Sequence, residues 1–203
     1  HYSYFILHLI TLAGPILASF DANVCFFNCW KQTLAPIVIL SSVFILWDMI
    51  FTALGVWGFS PEYVIGIYIY NLPIEEVFFF ISVPFCVLFL YEVATFYKLS
   101  FTVPHFLIVA LKILLTGISL LYYTKLYTIT VLAITILLLN LPFTKNNLSL
   151  ITATYLLHLP GFFVINGVLT SFPIVWYNPS YLSGFRLGSI PLEDLLYSFI
   201  LVW

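Results

Sequence analysis

Residues 73–97 read PIEEVFFFISVPFCVLFLYEVATFY, and this stretch decides the fold. Two adjacent acids, Glu75 and Glu76, open a run of about twenty residues that carries one further charge, Glu92. A helix of about 20 residues is about 30 Å long, the thickness of a bilayer core. The run is continuously apolar, whereas a lipid-facing barrel strand would alternate apolar and polar residues. Residues 73–97 therefore read as a membrane helix.

The rest of the chain follows the same pattern. Hydrophobic residues supply 63% of the 203 and charged residues 7%, six Lys or Arg and eight Asp or Glu. An ordinary soluble domain has about a quarter charged residues, so this surface is built for lipid. Seven apolar segments are predicted, roughly 2–20, 34–54, 73–97, 105–122, 127–142, 148–170 and 191–203. The net charge of −2, with scattered basic residues, leaves no footprint for nucleic acid. Cys25, Cys29 and Cys86 lack the partners of a metal site, so no metal is expected. His1 is not an initiator methionine and Trp203 stops inside an apolar run, so residues beyond both ends are expected. Residues 2–20 carry no small-residue cleavage site of a signal peptide. Lys31, Lys98 and Lys145 fall on one side of an alternating seven-helix chain, Lys125 and Arg186 on the other. That difference favours the first side as cytoplasmic only slightly.

A shift of 118 residues aligns the two halves. Phe44 meets Phe162, Thr52 meets Thr170, Pro61 meets Pro179 and Tyr63 meets Tyr181. Gly66 then meets Gly184, Pro73 meets Pro191 and Glu75 meets Glu193, while Asp48 meets Asn166 and Glu76 meets Asp194. Matches at Pro, Gly, Tyr and acids mark a true repeat. The predicted architecture is all-α and integral to the membrane: about seven transmembrane helices in two parallel three-helix repeats. Residues 1–104 form the first repeat, 105–122 a connecting helix and 123–203 the second. Parallel repeats are related by an axis along the membrane normal, which puts both acidic motifs at one depth.

The motifs read NLPIEE over 71–76 and SIPLED over 189–194. Asn71 and Ser189 are expected as N-caps, with Pro73 and Pro191 in the first turn. The acids then sit at the positive end of the helix dipole. Acids at helix starts are common, but two copies at one offset in so apolar a chain point to function. Asp48 and Asn166 place polar groups late in their helices. Arg186 has no counterpart and is a candidate partner for Glu193 or Asp194.

A duplicated Pro-x-Glu-Glu/Asp motif, each copy opening a membrane helix, resembles the integral-membrane lycopene cyclases. These occur as two-subunit enzymes in some bacteria, as fused chains in others, and in a fungal fusion with phytoene synthase. This chain resembles the fused two-repeat form, without a synthase domain. The resemblance implies a lycopene β-cyclase that closes the ends of a linear carotenoid into β-rings in the membrane, by non-redox acid–base chemistry. It implies a multi-pass protein of a bacterial cell membrane, with lycopene and the bilayer as partners and a homo-oligomer also open.

On that resemblance, Glu75 and Glu193 are expected as the main acid–base pair, Glu76 and Asp194 as tuning or relay groups, and Asp48 as an assistant. Raising a glutamate pKa from about 4.3 to near 7 takes about 3.7 kcal/mol. Burial and a neighbouring carboxylate push that way. Phe78, Phe79 and Tyr197 are candidates to steady a carbocation through their ring faces, and also read as packing residues. Asn166 and Arg186 complete the expected substrate contacts. No dinucleotide fingerprint occurs and no cofactor is expected. Rival readings are a related cyclase making ε-rings or rings on fifty-carbon carotenoids, a small proton-coupled transporter, and a retinal pigment protein built on Lys112. His8, His105 and His158 read as packing residues.

Overall fold

A computed structural model describes residues 2–142 and 145–203. It holds seven helices among those residues: α1 (Ser3–Ala18), α2 (Trp30–Ala53), α3 (Ile74–Phe96), α4 (His105–Leu121), α5 (Leu126–Leu138), α6 (Lys145–Ser171) and α7 (Leu192–Val202). They correspond to the seven predicted segments, and the protein is an all-α membrane protein. Three spans, Phe26–Ala53, Ile74–Phe96 and Asn147–Ser171, are long and apolar enough to cross a bilayer. On α2, Ile39, Val43, Leu46 and Ile50 recur at helical spacing and are each more than half exposed. A stripe of that kind faces lipid. Helix α4 packs on α5 and buries only Leu115.

The two long connections contain strands that sequence patterning did not predict. β1 (Trp57–Phe59) pairs antiparallel with β4 (Val175–Tyr177), and β2 (Tyr68–Ile69) with β3 (Leu72–Pro73). In the second half β5 (Arg186–Leu187) pairs with β6 (Ile190–Pro191). Two- and three-residue strands are too short for a period-2 pattern to show. The β1–β4 ladder pairs Gly58 with Trp176, which are equivalent under the 118-residue shift. Ser60 N–H donates to Ile174 at 3.0 Å, and its counterpart Asn178 N–H donates to Val56 at 2.9 Å. A two-fold axis turns one strand into the antiparallel partner of its copy, so the ladder sits where the halves meet.

Gly58 has a second reason to be glycine. A Cβ there would lie 2.4 Å from Cζ2 of Trp176. Gly58→Ala is therefore expected to push the indole off the ladder and cost about 1–3 kcal/mol, as overpacking does. Thermal unfolding in detergent checks this, and Trp176→Ala should restore most of the loss.

The expected caps differ. Helices α3 and α7 start at Ile74 and Leu192, after Pro73 and Pro191, with no side-chain cap. Asn71 Nδ2 instead donates to the Met49 carbonyl at 2.9 Å, and Ser189 Oγ to the Gly167 carbonyl at 3.4 Å. Met49 and Gly167 are equivalent, so each loop is tied to the helix before it. The hairpins turn the chain so sharply into the helix that these side chains face backwards, away from the first-turn amides.

Candidate active site

The first turns of α3 and α7 carry Glu75, Glu76, Glu193 and Asp194, and all four side chains are buried, at 0–7% exposure. Consecutive residues on a helix point about 100° apart, so each pair of acids divides between two environments.

Glu75 and Glu193 face the loops. Their Oε1 atoms accept the N–H of Ile65 and of Ser183, both at 2.7 Å. The next residues, Gly66 and Gly184, both have φ of +91°, a conformation that suits glycine and turns each loop right after the bonded amide. Thr128 Oγ1 donates to Glu193 at 2.5 Å. Each carboxyl leaves one buried oxygen, Oε2, without a partner among the described residues. On the first half, buried His8 packs in a tilted arrangement on Tyr4 with ring centres 4.7 Å apart.

Glu76 and Asp194 face a cavity of about 350 Å³ between the halves, and Asp48 of α2 lines it with them. Tyr4 of α1 donates its hydroxyl to Glu76 Oε2. Asp194 takes three hydrogen bonds, each at 2.8 Å: Tyr127 OH on Oδ1, and Asn166 Nδ2 and Tyr177 OH on Oδ2. Asp48 Oδ2 is buried without a partner among the described residues. From this acid end the cavity follows α3 through Phe79, Val83 and Cys86 to Leu90, flanked by Thr11 and Pro15 of α1 and by His158 and Gly161 of α6. Glu76 to Leu90 is about 21 Å at 1.5 Å per residue. The cavity is thus a long apolar slot with carboxyls at one end. Its size lies within the range of about 300–1,000 Å³ for small-molecule sites.

The slot has a filled twin. Ile165 and Leu169 line it, while their equivalents Trp47 and Phe51 pack into an aromatic cluster with Trp57, Tyr127 and Tyr197, which themselves wall the slot. The duplicated scaffold is hollow on the side of Ile165 and Leu169 because those side chains are smaller.

Among the residues singled out in the sequence, the cavity gathers Asp48, Glu76, Phe79, Asn166, Asp194 and Tyr197. Glu75 and Glu193 do not line it; their carboxyls bond the loops instead. Phe78 is 45% exposed and points out of the bundle. Arg186 is exposed and donates to the Ser189 carbonyl at 2.5 Å, so it pairs with neither Glu193 nor Asp194. Lys112 is half-buried and donates to Asn140 Oδ1 at 2.9 Å.

Tyr4, Trp57, Tyr127, Tyr177 and His158 enter the site without having been singled out as its members. The gap-free shift holds from α2 onward but pairs Tyr4 with Tyr122. The spatial equivalent is Tyr127: Tyr4 and Glu76 are 72 residues apart, Tyr127 and Asp194 only 67. Aligning the first helices of the halves with a five-residue gap would have exposed the pair.

The fold and the site thus define a helical membrane protein whose halves close buried acids around an apolar slot. A sequence model of the lycopene cyclase family matches residues 1–94 and again 120–203. The chain belongs to the lycopene cyclase family, and its activity is that of a carotenoid cyclase. No curated protein and no solved structure matches it.

Proposed function

We propose that the protein is a lycopene β-cyclase, built as repeats 1–104 and 123–203 around the connector 105–122, in a bacterial cell membrane. The observation that carries this is the apolar slot ending in Asp48, Glu76 and Asp194. A linear carotenoid is a hydrocarbon about as long as a bilayer is thick, roughly 30 Å. Its end group fits the acid end and its polyene the slot along α3.

A carboxyl at the acid end protonates the terminal double bond. The resulting tertiary cation is attacked by an internal double bond, which forms the ring carbon–carbon bond. A neighbouring carboxylate removes a proton from the ring carbon beside the new cation, leaving the β-ring double bond. One proton enters and one leaves, and no electrons are gained or lost, so this chemistry requires no cofactor. The rings of Phe79, Tyr127 and Tyr197 present π-faces to the transient cation. The buried walls keep out water, which would otherwise trap it as an alcohol.

Expression in cells that accumulate lycopene, followed by chromatography of the pigments, tests the reading. β-ringed products are expected. Protein present in the membrane with lycopene unchanged would overturn it, and ε-ringed products would replace the β assignment.

A shared acid end also sets the order of events. A rigid polyene cannot bring both its ends to one place, so each binding event closes one ring. A pulse of labelled lycopene followed by excess unlabelled lycopene should trap label in the one-ringed product. Label passing straight into a two-ringed product despite the chase would contradict this.

A further inference from the structure

Asp48 and Asn166 are equivalent residues, and the two halves differ there in hydrogen-bonding chemistry, as they also do at Phe59 and Tyr177. Asn166 donates an N–H to Asp194 at 2.8 Å. Asp48 stands in the same place beside Glu76, and a carboxylate has no proton to donate. The environments diverge accordingly. Asp194 is surrounded by three donors and suits a carboxylate. Asp48 and Glu76 are buried carboxyls that line the same cavity; Tyr4 donates to Glu76, and Asp48 Oδ2 has no partner among the described residues. Two carboxyls in such a place are satisfied by holding one proton between them.

We propose that the Asp48–Glu76 pair is the proton donor of the cyclisation and Asp194 the proton acceptor, with the Asp/Asn exchange at 48 and 166 setting that direction. This rests on the cyclase reading above. The pair gives its proton to the terminal double bond and becomes doubly ionised. The ring bond forms, and Asp194 takes the ring proton as the new double bond closes. Tyr177 donates to Asp194 at 2.8 Å and lines the cavity with Asp48 and Glu76, and return of the proton from Asp194 to the pair across that cavity restores the starting state.

The ionisable groups facing the pair are Tyr4 from α1, Tyr177 from β4, Tyr197 from α7 and Glu75 from α3 itself. Those facing Asp194 are Tyr127 from α5, Tyr177, Tyr197 and Glu193. Among the described residues no Lys or Arg lines the cavity, so the direction rests on the carboxyls and their neutral partners.

Purified full-length chain in lycopene-loaded lipid vesicles provides the test. Asp48→Asn should lower the ring-forming rate about 10²–10⁴-fold, the usual worth of a positioned acid. The amide removes a negative neighbour and supplies Glu76 with a donor, so the alkaline limb of the residual pH–rate profile should move to lower pH. Asp48→Glu should recover much of the rate. Asn166→Asp places a second carboxyl beside Asp194 and should move the acidic limb to higher pH, a result that also serves if Asp48→Asn fails to accumulate. Asp48→Asn within threefold of wild type, or a slower Asp48→Asn with both limbs unmoved, would overturn the assignment. So would an Asn166→Asp profile identical to wild type. Absence of rings from the wild-type chain would instead sink the cyclase reading itself.

Discussion

Glu76→Gln is expected to abolish ring formation in lycopene-accumulating cells while the protein still accumulates in membranes. Glutamine keeps the size of the side chain and an oxygen for the Tyr4 hydroxyl, so packing should survive. What disappears is a titratable proton at the end of the slot, and about 10²–10⁴-fold in rate goes with it. Asp194→Asn should be as severe, because an amide cannot accept the ring proton. Glu75→Gln gives the contrast. Its oxygen can still accept the Ile65 N–H and its side chain does not line the cavity, so it should retain far more activity than Glu76→Gln. Equal losses in both variants would show that the acids work through their placement of the helix start and not through the cavity.

The second large effect comes from filling the slot with the protein's own alternative. Ile165→Trp places on the hollow side the residue that its equivalent, Trp47, already supplies on the filled side. Trp47 there packs against Tyr197 and Phe51 with ring centres 5.0 and 5.7 Å away. An indole at 165 occupies the space beside Phe79 and Asn166, just below the acids. Ring formation should fall at least about 10²-fold, since even a 1 Å displacement of a reacting group can cost that much. The melting temperature should hold or rise, because filling a void adds dispersion contacts. Ile165→Leu, of equal volume, should stay near the wild-type rate. An active Ile165→Trp with unchanged products would remove this slot as the substrate site.

Much of the fold is legible in the sequence because apolar helices announce themselves by their continuous runs, and all seven segments are helical where patterning puts them, three of them long and apolar enough to cross a bilayer. The repeat is legible from its Pro, Gly and acidic matches, since those residues mark turns and helix starts rather than the common apolar background. The first helices escape that comparison. Their Tyr4 and Tyr127 are offset by five residues, and a lone tyrosine in an apolar run carries no marker of its own.

Sequence by itself determined that this chain lives in lipid, that it is doubled, and that its acids gather at two helix starts. Those conclusions depend on composition and spacing, which are properties of the chain read in one dimension. Tertiary structure decided which acid of each pair meets the cavity and which of the two halves is hollow. Neighbouring residues on a helix differ by about 100° in direction, and only the packed partners show that Glu76 and Asp194 turn inward while Glu75 and Glu193 hold the loops. Likewise Trp47 and Ile165 are both ordinary membrane-helix residues in sequence. Only when the helices are assembled does one complete a packed cluster and the other leave room for a hydrocarbon.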